Sequence, residues 1–482
     1  MNEQLSIFEN STNKYTITKP IRLIQLFSGI GMQQYAIKKV FSDCVNWRTC
    51  EWAVKSIIGY DKVWNSTDSA TVDMPKNEIV DFLFKKGISI DYDKPATLKQ
   101  ISRMPLEKLK LIYSSIIKNH NLVNIMNVKA DDLQIEERDK YCYIMTYSFP
   151  CQDLSLSGKR KGFEISQAEG GTRSGLVLEV IRILNELRKR ESLPQILLME
   201  NVSQIHNKHN NSQFQKIIND LAKLGYSSFY EDMNSKNYGI PQNRNRTFML
   251  SILGDYDYSF PHKERLNLKL KDLLEDNVSK KYYLSERMLN YMLFNSNGYE
   301  REKIFLRNLI PDKNIAFTLT TKNGTRACDN FIPIKNATKQ GYLLGQDGDG
   351  VDISTRMHDH RGTVQKGITQ TITTQCNNGV IVKNNENYIQ RKEKGKFDLD
   401  CRAYKENGIS AILTTTGIAK VLMKYFEIRR LTPLECCRLM GLGDEVEEKL
   451  KTTLSETSRY HIYGDGLVVQ CVEKIFQQLK LF

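Results

Sequence analysis

The chain has 482 residues, 40% of them hydrophobic, and its 69 Lys and Arg exceed 56 Asp and Glu for a net charge of +13. That length exceeds one ordinary core and predicts two or three domains, while the positive balance suits a polyanion such as nucleic acid or marks a merely Lys-rich soluble protein. No stretch approaches the roughly 18 apolar residues of a membrane span, and the polar start "MNEQLSIFENSTNKYTITKP" has no apolar signal region, so a cytoplasmic protein with reduced thiols is expected.

In chain order, "IRLIQLF" (21–27) reads as a buried strand, followed by "SGIG" and a helical pattern through Phe41. A second strand ends near "NWRTCEW", and a second helical pattern runs to about Trp64. This β-α-β-α order is the grammar of a parallel sheet covered by helices. Residues 65–123 interrupt it. There "LKQISRMPLEKLKLIYSSIIKN" (98–119) has helical spacing and many lysines but no visible chemistry, so it reads as a helical insertion with a solvated face.

The alternation resumes with the strand "YCYIMTY". Leu176, Val180, Ile183 and Leu187 then mark one helix face, and "QILLME" (195–200) is a short apolar strand ending in an acid. A helix "FQKIINDLAKL", a strand "SSFYEDM" and a strand "RTFMLSIL" (246–253) follow. Beyond about residue 258, Gly, Asn and Thr rise and helical periodicity fades. "NIAFTLTT" (314–321), "GITQTITT" (367–374) and "GISAILTT" (408–415) share a β-rich, Thr-tipped pattern, which suggests an irregular β domain. From about 426 the pattern returns to helix, with Thr432 as N-cap and Pro433 at the first helical position. The expected organisation is a first unit over 1–257, a β-rich unit over 258–425, and a return to the first unit over 426–482.

Four constellations carry chemistry. The strand, G-x-G turn and helix at "LFSGIG" bring backbone close to a ligand at a helix N-terminus, or serve as a plain structural turn. Glu51 and Trp52 end the next strand, where an acid of such folds bonds ribose hydroxyls and the indole can stack on adenine. The third glycine of a diphosphate-binding fingerprint is missing, which favours S-adenosylmethionine over a dinucleotide. Cys151 follows Pro150 at the C-terminal end of a strand, in the position of either a nucleophile or a small core residue. The polar, glycine-rich "QDLSLSGKRKGFEISQAEGGTRSG" after it resembles a loop that closes over substrate more than core. Glu200 and Asn201 form a polar pair after an apolar strand, either an acid of raised pKa or a capping pair. Arg244 and Arg246 alternate at a strand start and share one face, either for a substrate or as surface charges. None of the ten cysteines forms a C-x-x-C pair and only seven histidines accompany them, so no metal site is expected.

In this order the motifs resemble those of the DNA (cytosine-5) methyltransferases of bacterial or phage type. "FSGIGM", "CEW", "FPCQDLS", "GTRSGL", "ENV", "QNRNR", "RRLTPLECCRLMGL" and "YGDGLVV" match over roughly 21–255 and 426–482. The resemblance implies an α/β fold, a Rossmann-like S-adenosylmethionine-dependent methyltransferase sheet with a second, irregular β-rich target recognition domain. It implies that Cys151 adds to C6 of a flipped-out cytosine, Glu200 binds or protonates N3, and Arg246 with Arg244 holds the base. Asn201 positions the Pro150–Cys151 segment, and C5 then takes the methyl group. The cofactor set it implies is Phe27, Ser28, Gly29, Gly31, Glu51, Trp52, Asn124, Ile125, Pro150, Leu176, Asp465 and Gly466. A basic loop at 157–173 would close behind the base.

Two motifs depart from the family's pattern. Asn124 stands where an aspartate is usual, so a neutral oxygen replaces a charged one. Asp465-Gly466 stand where Asn and a small Ser or Ala are usual, which bears on cofactor affinity. The partner implied is double-stranded DNA read by 258–425, the chain being a monomer, with a cognate restriction endonuclease that it does not contact as one setting. Two other readings remain: a tRNA cytosine-5 methyltransferase, against which stands the absence of a C-F-T segment, and a DNA-binding regulator that has lost catalysis.

Overall fold

The computed structural model describes residues 13–65, 72–150, 173–283 and 431–480, with short pieces at 315–319, 321, 330–333, 350–352, 364–365, 378–380, 389–390, 402–403 and 428–430. The chain divides into two compact units. One comprises Met1–Leu274, Ile315–Lys322 and Pro433–Phe482; the other comprises Glu275–Asn314 and Asn323–Thr432.

The first unit is built on a six-stranded sheet. Its strands are β1 (Ile21–Leu26), β2 (Val45–Cys50), β3 (Cys142–Tyr147), β4 (Ile196–Val202), β5 (Tyr226–Asn234) and, after the two-residue β6 (Gln242–Asn243), β7 (Asn245–Leu253). The order is β2-β1-β3-β4-β7-β5. Strands β2, β1, β3 and β4 are parallel, so their C-terminal ends share one edge. All residues of β3 and β4 are buried, as expected of strands covered on both faces.

Three expectations need correction. Strand β7 runs antiparallel to both β4 and β5, so the sheet is mixed. The turn 235–244 makes this possible: a short link suffices between antiparallel strands, whereas a parallel return needs a crossover of a dozen residues or more. Strand β4 does not end at Glu200 but continues to Val202, because Glu200, Asn201 and Val202 pair with Phe248, Thr247 and Arg246 of β7. The helical stretch 98–119 is two helices, α4 (Leu98–Ser102) and α5 (Leu106–Lys118). Pro105 separates them, since it lacks an N–H and disfavours helical geometry in the residue before it.

The other helices follow their apolar periodicity. Helix α1 (Met32–Val40) follows the first glycine turn, α2 (Val54–Trp64) follows β2, and α3 (Lys76–Lys86) opens the insertion. Helix α6 (Val177–Arg188) buries Val180, Ile183, Leu184 and Leu187, and α7 (Asn211–Lys223) buries Phe214, Ile217 and Leu221. Each such aliphatic side chain contributes about 1.5–3 kcal/mol when fully buried. Four helices close the unit: α8 (Pro433–Leu439), α9 (Asp444–Leu450), α10 (Glu456–Asp465) and α11 (Val469–Gln477). Helix α11 packs on α1, and Lys480 Nζ reaches the Val40 carbonyl at 3.1 Å. The last fifty residues thus complete the first layer of helices.

The first Thr-tipped segment gives β8 (Ala316–Phe317), paired in parallel with β6 in this same unit. In the second unit, Gly350–Asp352 pairs with Val364–Gln365 and Asn378–Val380, Ile389–Gln390 with Arg402–Ala403, and Phe331–Pro333 with Ile428–Arg430, all antiparallel. The other two Thr-tipped segments, 367–374 and 408–415, lie outside the described residues. No helix among the described residues is long and apolar enough to cross a membrane.

Candidate active site

The shared C-terminal edge of β1, β2, β3 and β4 opens into a crevice of about 1370 Å³, part of it open to solvent. The loops after parallel strands converge on such an edge, which is where open α/β sheets bind ligands. Of the candidate residues, Phe27, Ser28, Gly29, Glu51, Trp52, Asn124, Ile125, Pro150, Leu176, Glu200, Asn201, Arg244, Arg246, Asp465 and Gly466 all line it. Cys151 and the basic loop at 157–172 lie outside the described residues.

The turn after β1 depends on backbone that side chains resist. Gly29 and Gly31 have φ of 53° and 82°. A Cβ on Gly31 would stand 2.4 Å from Trp64 Nε1, which donates to the Ile30 carbonyl at 2.9 Å. That position therefore accepts only glycine. A Cβ on Gly29 would meet nothing within 4 Å, so the chain leaves open space there, facing the crevice.

Glu51 is fixed by its own neighbours. Its Oε2 accepts from Gly29 N at 3.0 Å and its Oε1 from Ala53 N at 2.8 Å. Burial outweighs these donors and lifts its carboxyl to about 7, with Asp465 adding to the rise. Ser28 Oγ is buried on the crevice wall and has no hydrogen-bond partner among the described residues. Buried hydroxyls rarely stay unpaired, so this one points to a ligand that pairs it. Asn124 Oδ1 accepts from Met126 N at 3.1 Å and caps the turn containing Ile125.

At the other end of the crevice, Glu200 lies between charges and burial. Arg246 Nε is 3.3 Å from Glu200 Oε1. Burial nevertheless pushes the Glu200 carboxyl up, with Arg246 and then Arg244 opposing the rise. Asn201 Nδ2 donates to the Phe149 carbonyl at 3.1 Å, while its Oδ1 accepts from Val202 N. Pro150 lines the crevice next to this link.

The two arginines differ. Arg244 is almost fully buried, and its guanidinium donates to the carbonyls of Leu319, Gly464 and Gly466. It ties the C-terminal end of α10 to the crevice. Arg246 is less buried and addresses Glu200. Gln242, which opens the same motif, donates to the Leu439 carbonyl at 2.8 Å and accepts from Leu319 N at 3.0 Å.

Several lining residues were not among the sequence candidates. Ser148 hydrogen-bonds the Glu200 carboxylate and Gln33. Tyr92, from the insertion, and His461, from α10, also face the crevice. The one hint in the sequence is the i, i+4 spacing of His461 and Asp465, whose Nδ1 and Oδ2 lie 3.3 Å apart.

A family model described as C-5 cytosine-specific DNA methylase matches residues 105–481. The type II methyltransferase M2.ScrFI of Lactococcus lactis subsp. cremoris is 32% identical over 465 residues, covering 95% of this chain and 99% of that protein. The orphan methyltransferase M.SssI of Spiroplasma monobiae is 32% identical over 304 residues, covering 58% of this chain and 77% of that protein. The solved methyltransferase EhMeth of Entamoeba histolytica shares the fold, with a TM-score of 0.53 at 15% identity over 96% of this chain and 98% of that one. The glycine turn, the Glu200–Arg246 pair and the Asn201 link stand in a chain matched over most of its length, and this protein belongs to the C-5 cytosine-specific DNA methylases.

Proposed function

We propose that the protein transfers a methyl group from S-adenosylmethionine to C5 of a cytosine at a defined sequence in duplex DNA. A covalent bond from Cys151 to C6 of a base turned out of the helix carries the reaction: C5 takes the methyl group, then loses its proton to a base as the Cys151–C6 bond breaks and the thiolate is released. The observation that supports this most is that Pro150, Glu200, Asn201 and Arg246 line the same crevice as the Glu51 turn.

The residues present fit the cofactor. Glu51 offers a carboxylate for ribose hydroxyls, Ser28 an unpaired buried hydroxyl, and Gly29 open space. Phe27, Trp52, Asn124, Ile125, Leu176, Asp465 and Gly466 complete the set that would hold it, while Gly31 packs against Trp64 and shapes the turn without lining the crevice. When bound, S-adenosylmethionine supplies an electrophilic methyl group.

The rest of the chemistry belongs to the chain. Burial pushes up the thiols of Cys44, Cys50, Cys142, Cys437 and Cys471, which makes each a poor nucleophile at neutral pH. Cys151 comes next in sequence after Pro150, which lines the crevice, and is the thiol that we assign to attack the base. Burial raises the Glu200 carboxyl, which favours its protonated form, and that form donates to N3 of the cytosine, which makes C6 electrophilic. Arg246 orients that carboxyl and balances its charge when the proton moves. Asn201 holds the backbone ahead of Cys151 through Phe149.

A base cannot expose C6 while stacked, so extrusion is required. The net charge of +13 favours the phosphate backbone and makes binding salt-sensitive. The second unit, rich in Asn, Gln, Thr and Lys, is the part suited to reading base edges in the major groove. The test is transfer of a labelled methyl group to duplex DNA and to tRNA, with bisulfite sequencing of the DNA product. Label at C5 of cytosines within one sequence, lost in Cys151→Ala, supports the reading; label confined to tRNA contradicts it.

A further inference from the structure

The insertion between α2 and β3 carries no family motif, yet one of its loops reaches the crevice. That loop is laced to the end of β2 by two backbone hydrogen bonds: Ser89 N donates to the Trp52 carbonyl at 2.7 Å, and Val54 N donates to the Ser89 carbonyl at 2.9 Å. Asp91 Oδ1 accepts from the backbone N–H groups of Asp93 and Lys94, at 3.0 and 3.2 Å, and from Ser89 Oγ. This closes a tight turn around Tyr92.

Tyr92 sits in that turn at φ 65°, a left-handed conformation that a bulky side chain adopts at a cost. Its ring stacks on His461, with centroids 4.1 Å apart and planes 19° from parallel. Both rings line the crevice beside Glu51 and Asp465. The Tyr92 hydroxyl is out of contact with water and lies against Ser56, with no hydrogen bond of ordinary geometry among the described residues. A strained aromatic on a braced turn, facing a pocket, is better explained by what it contacts there than by the fold. Glycine would hold the same turn without strain.

We propose that Tyr92, stacked on His461, is a cofactor-positioning wall, so that the insertion forms part of the adenosyl-cofactor subsite of this chain. The proposal rests on the reading of S-adenosylmethionine as cofactor. The flat pair closes the side of the crevice next to the Glu51 carboxylate, so a ribose bonded to Glu51 is confined on that side by an apolar face. The wall limits how far the cofactor can move, and excludes water from the Glu51 hydrogen bonds.

Isothermal calorimetry of S-adenosylmethionine and S-adenosylhomocysteine, without DNA, tests this in wild type, Tyr92→Phe, Tyr92→Gly and Tyr92→Leu. The expected result is binding within about twofold of wild type for Tyr92→Phe and at least tenfold weaker for Tyr92→Gly. In steady state, Tyr92→Gly should raise KM for the cofactor and leave KM for DNA unchanged. Should Tyr92→Gly fail to fold, Tyr92→Leu, which keeps bulk but not the flat ring, is read instead and should bind several-fold more weakly. Wild-type affinity in the variant that is read overturns the wall. A wild-type protein that binds neither ligand overturns the cofactor reading itself, a separate result.

Discussion

Asn201 Nδ2 and the Phe149 carbonyl are joined by a 3.1 Å hydrogen bond between β4 and the segment that leads through Pro150 to Cys151. The same side chain receives Val202 N on its oxygen. The strand that bears Glu200 therefore also holds the backbone two residues ahead of the proposed nucleophile. Asn201→Asp keeps the acceptor and removes the donor. It should lower kcat by roughly 10- to 100-fold and cost about 1–3 kcal/mol of stability. Cofactor affinity measured by calorimetry should change little.

Glu200 is buried and its carboxyl is raised, so its protonated form persists above the usual carboxylate range. Activity that needs this proton should fall as pH rises through the raised value. Glu200→Gln cannot donate an acid proton and should lose this alkaline limb. Its kcat should drop by about 10²–10⁴, the usual contribution of general acid catalysis. Single-turnover rates measured as a function of pH from below the ordinary carboxylate range upward check both points.

Glu51 gives a second pH dependence, of opposite sense. Its folded carboxyl titrates at about 7 against an ordinary value near 4.5. Below about 7 it is protonated and a weaker acceptor for ribose hydroxyls, so cofactor affinity should weaken as pH falls from 8 to 6. For stability, a raised acid costs the fold nothing below its unfolded value. The cost grows as pH rises from there to the folded value and is full above it. Glu51→Gln removes the titration but also one of the two acceptors, so without ligand its melting temperature relative to wild type should be higher at pH 8 than at pH 4, and it should bind cofactor more weakly with no pH slope. Scanning calorimetry and titration calorimetry at the same pH values separate the two effects.

Arg244 and Arg246 should behave differently although they are two residues apart. Arg244→Ala removes three hydrogen bonds to the carbonyls of Leu319, Gly464 and Gly466 in a buried place. It should cost several kcal/mol, since each buried carbonyl left unpaired costs about 1–3 kcal/mol. Arg246→Ala removes the partner of Glu200 at a more open position, so stability should change less and kcat more. It should also move the alkaline limb to higher pH, because Arg246 holds the Glu200 value down. Urea unfolding and pH–rate profiles of the two variants check the contrast.

Much of the sheet was legible because β3 and β4 are continuous apolar runs bounded by polar residues, and because Leu176, Val180, Ile183 and Leu187 keep helical spacing. The direction of β7 was not, since an apolar run has the same appearance in either sense. The two extra residues of β4, Asn201 and Val202, were hidden for a related reason: the polar pair Glu200–Asn201 reads as a strand end, and only pairing with Thr247 and Arg246 makes Asn201 and Val202 strand. At the site, the described motif residues other than Gly31 gather along one crevice because β-strand ends collect them. Arg244 read as a ligand for the base, whereas its guanidinium holds three backbone carbonyls, a long-range contact that spacing does not encode. Tyr92 escaped notice because its insertion has no repeat or motif, and its place beside His461 depends on contacts 369 positions apart in sequence.

The attack of Cys151 on a cytosine ring is tested most directly by trapping. The protein is incubated with S-adenosylmethionine and a duplex carrying 5-fluorocytosine at the methylated position, and the adduct is mapped by mass spectrometry. A stable one-to-one adduct on Cys151, absent in Cys151→Ser, is the predicted result. Methyl transfer to normal DNA without any adduct on the fluorinated duplex, or an adduct on another cysteine, would contradict it.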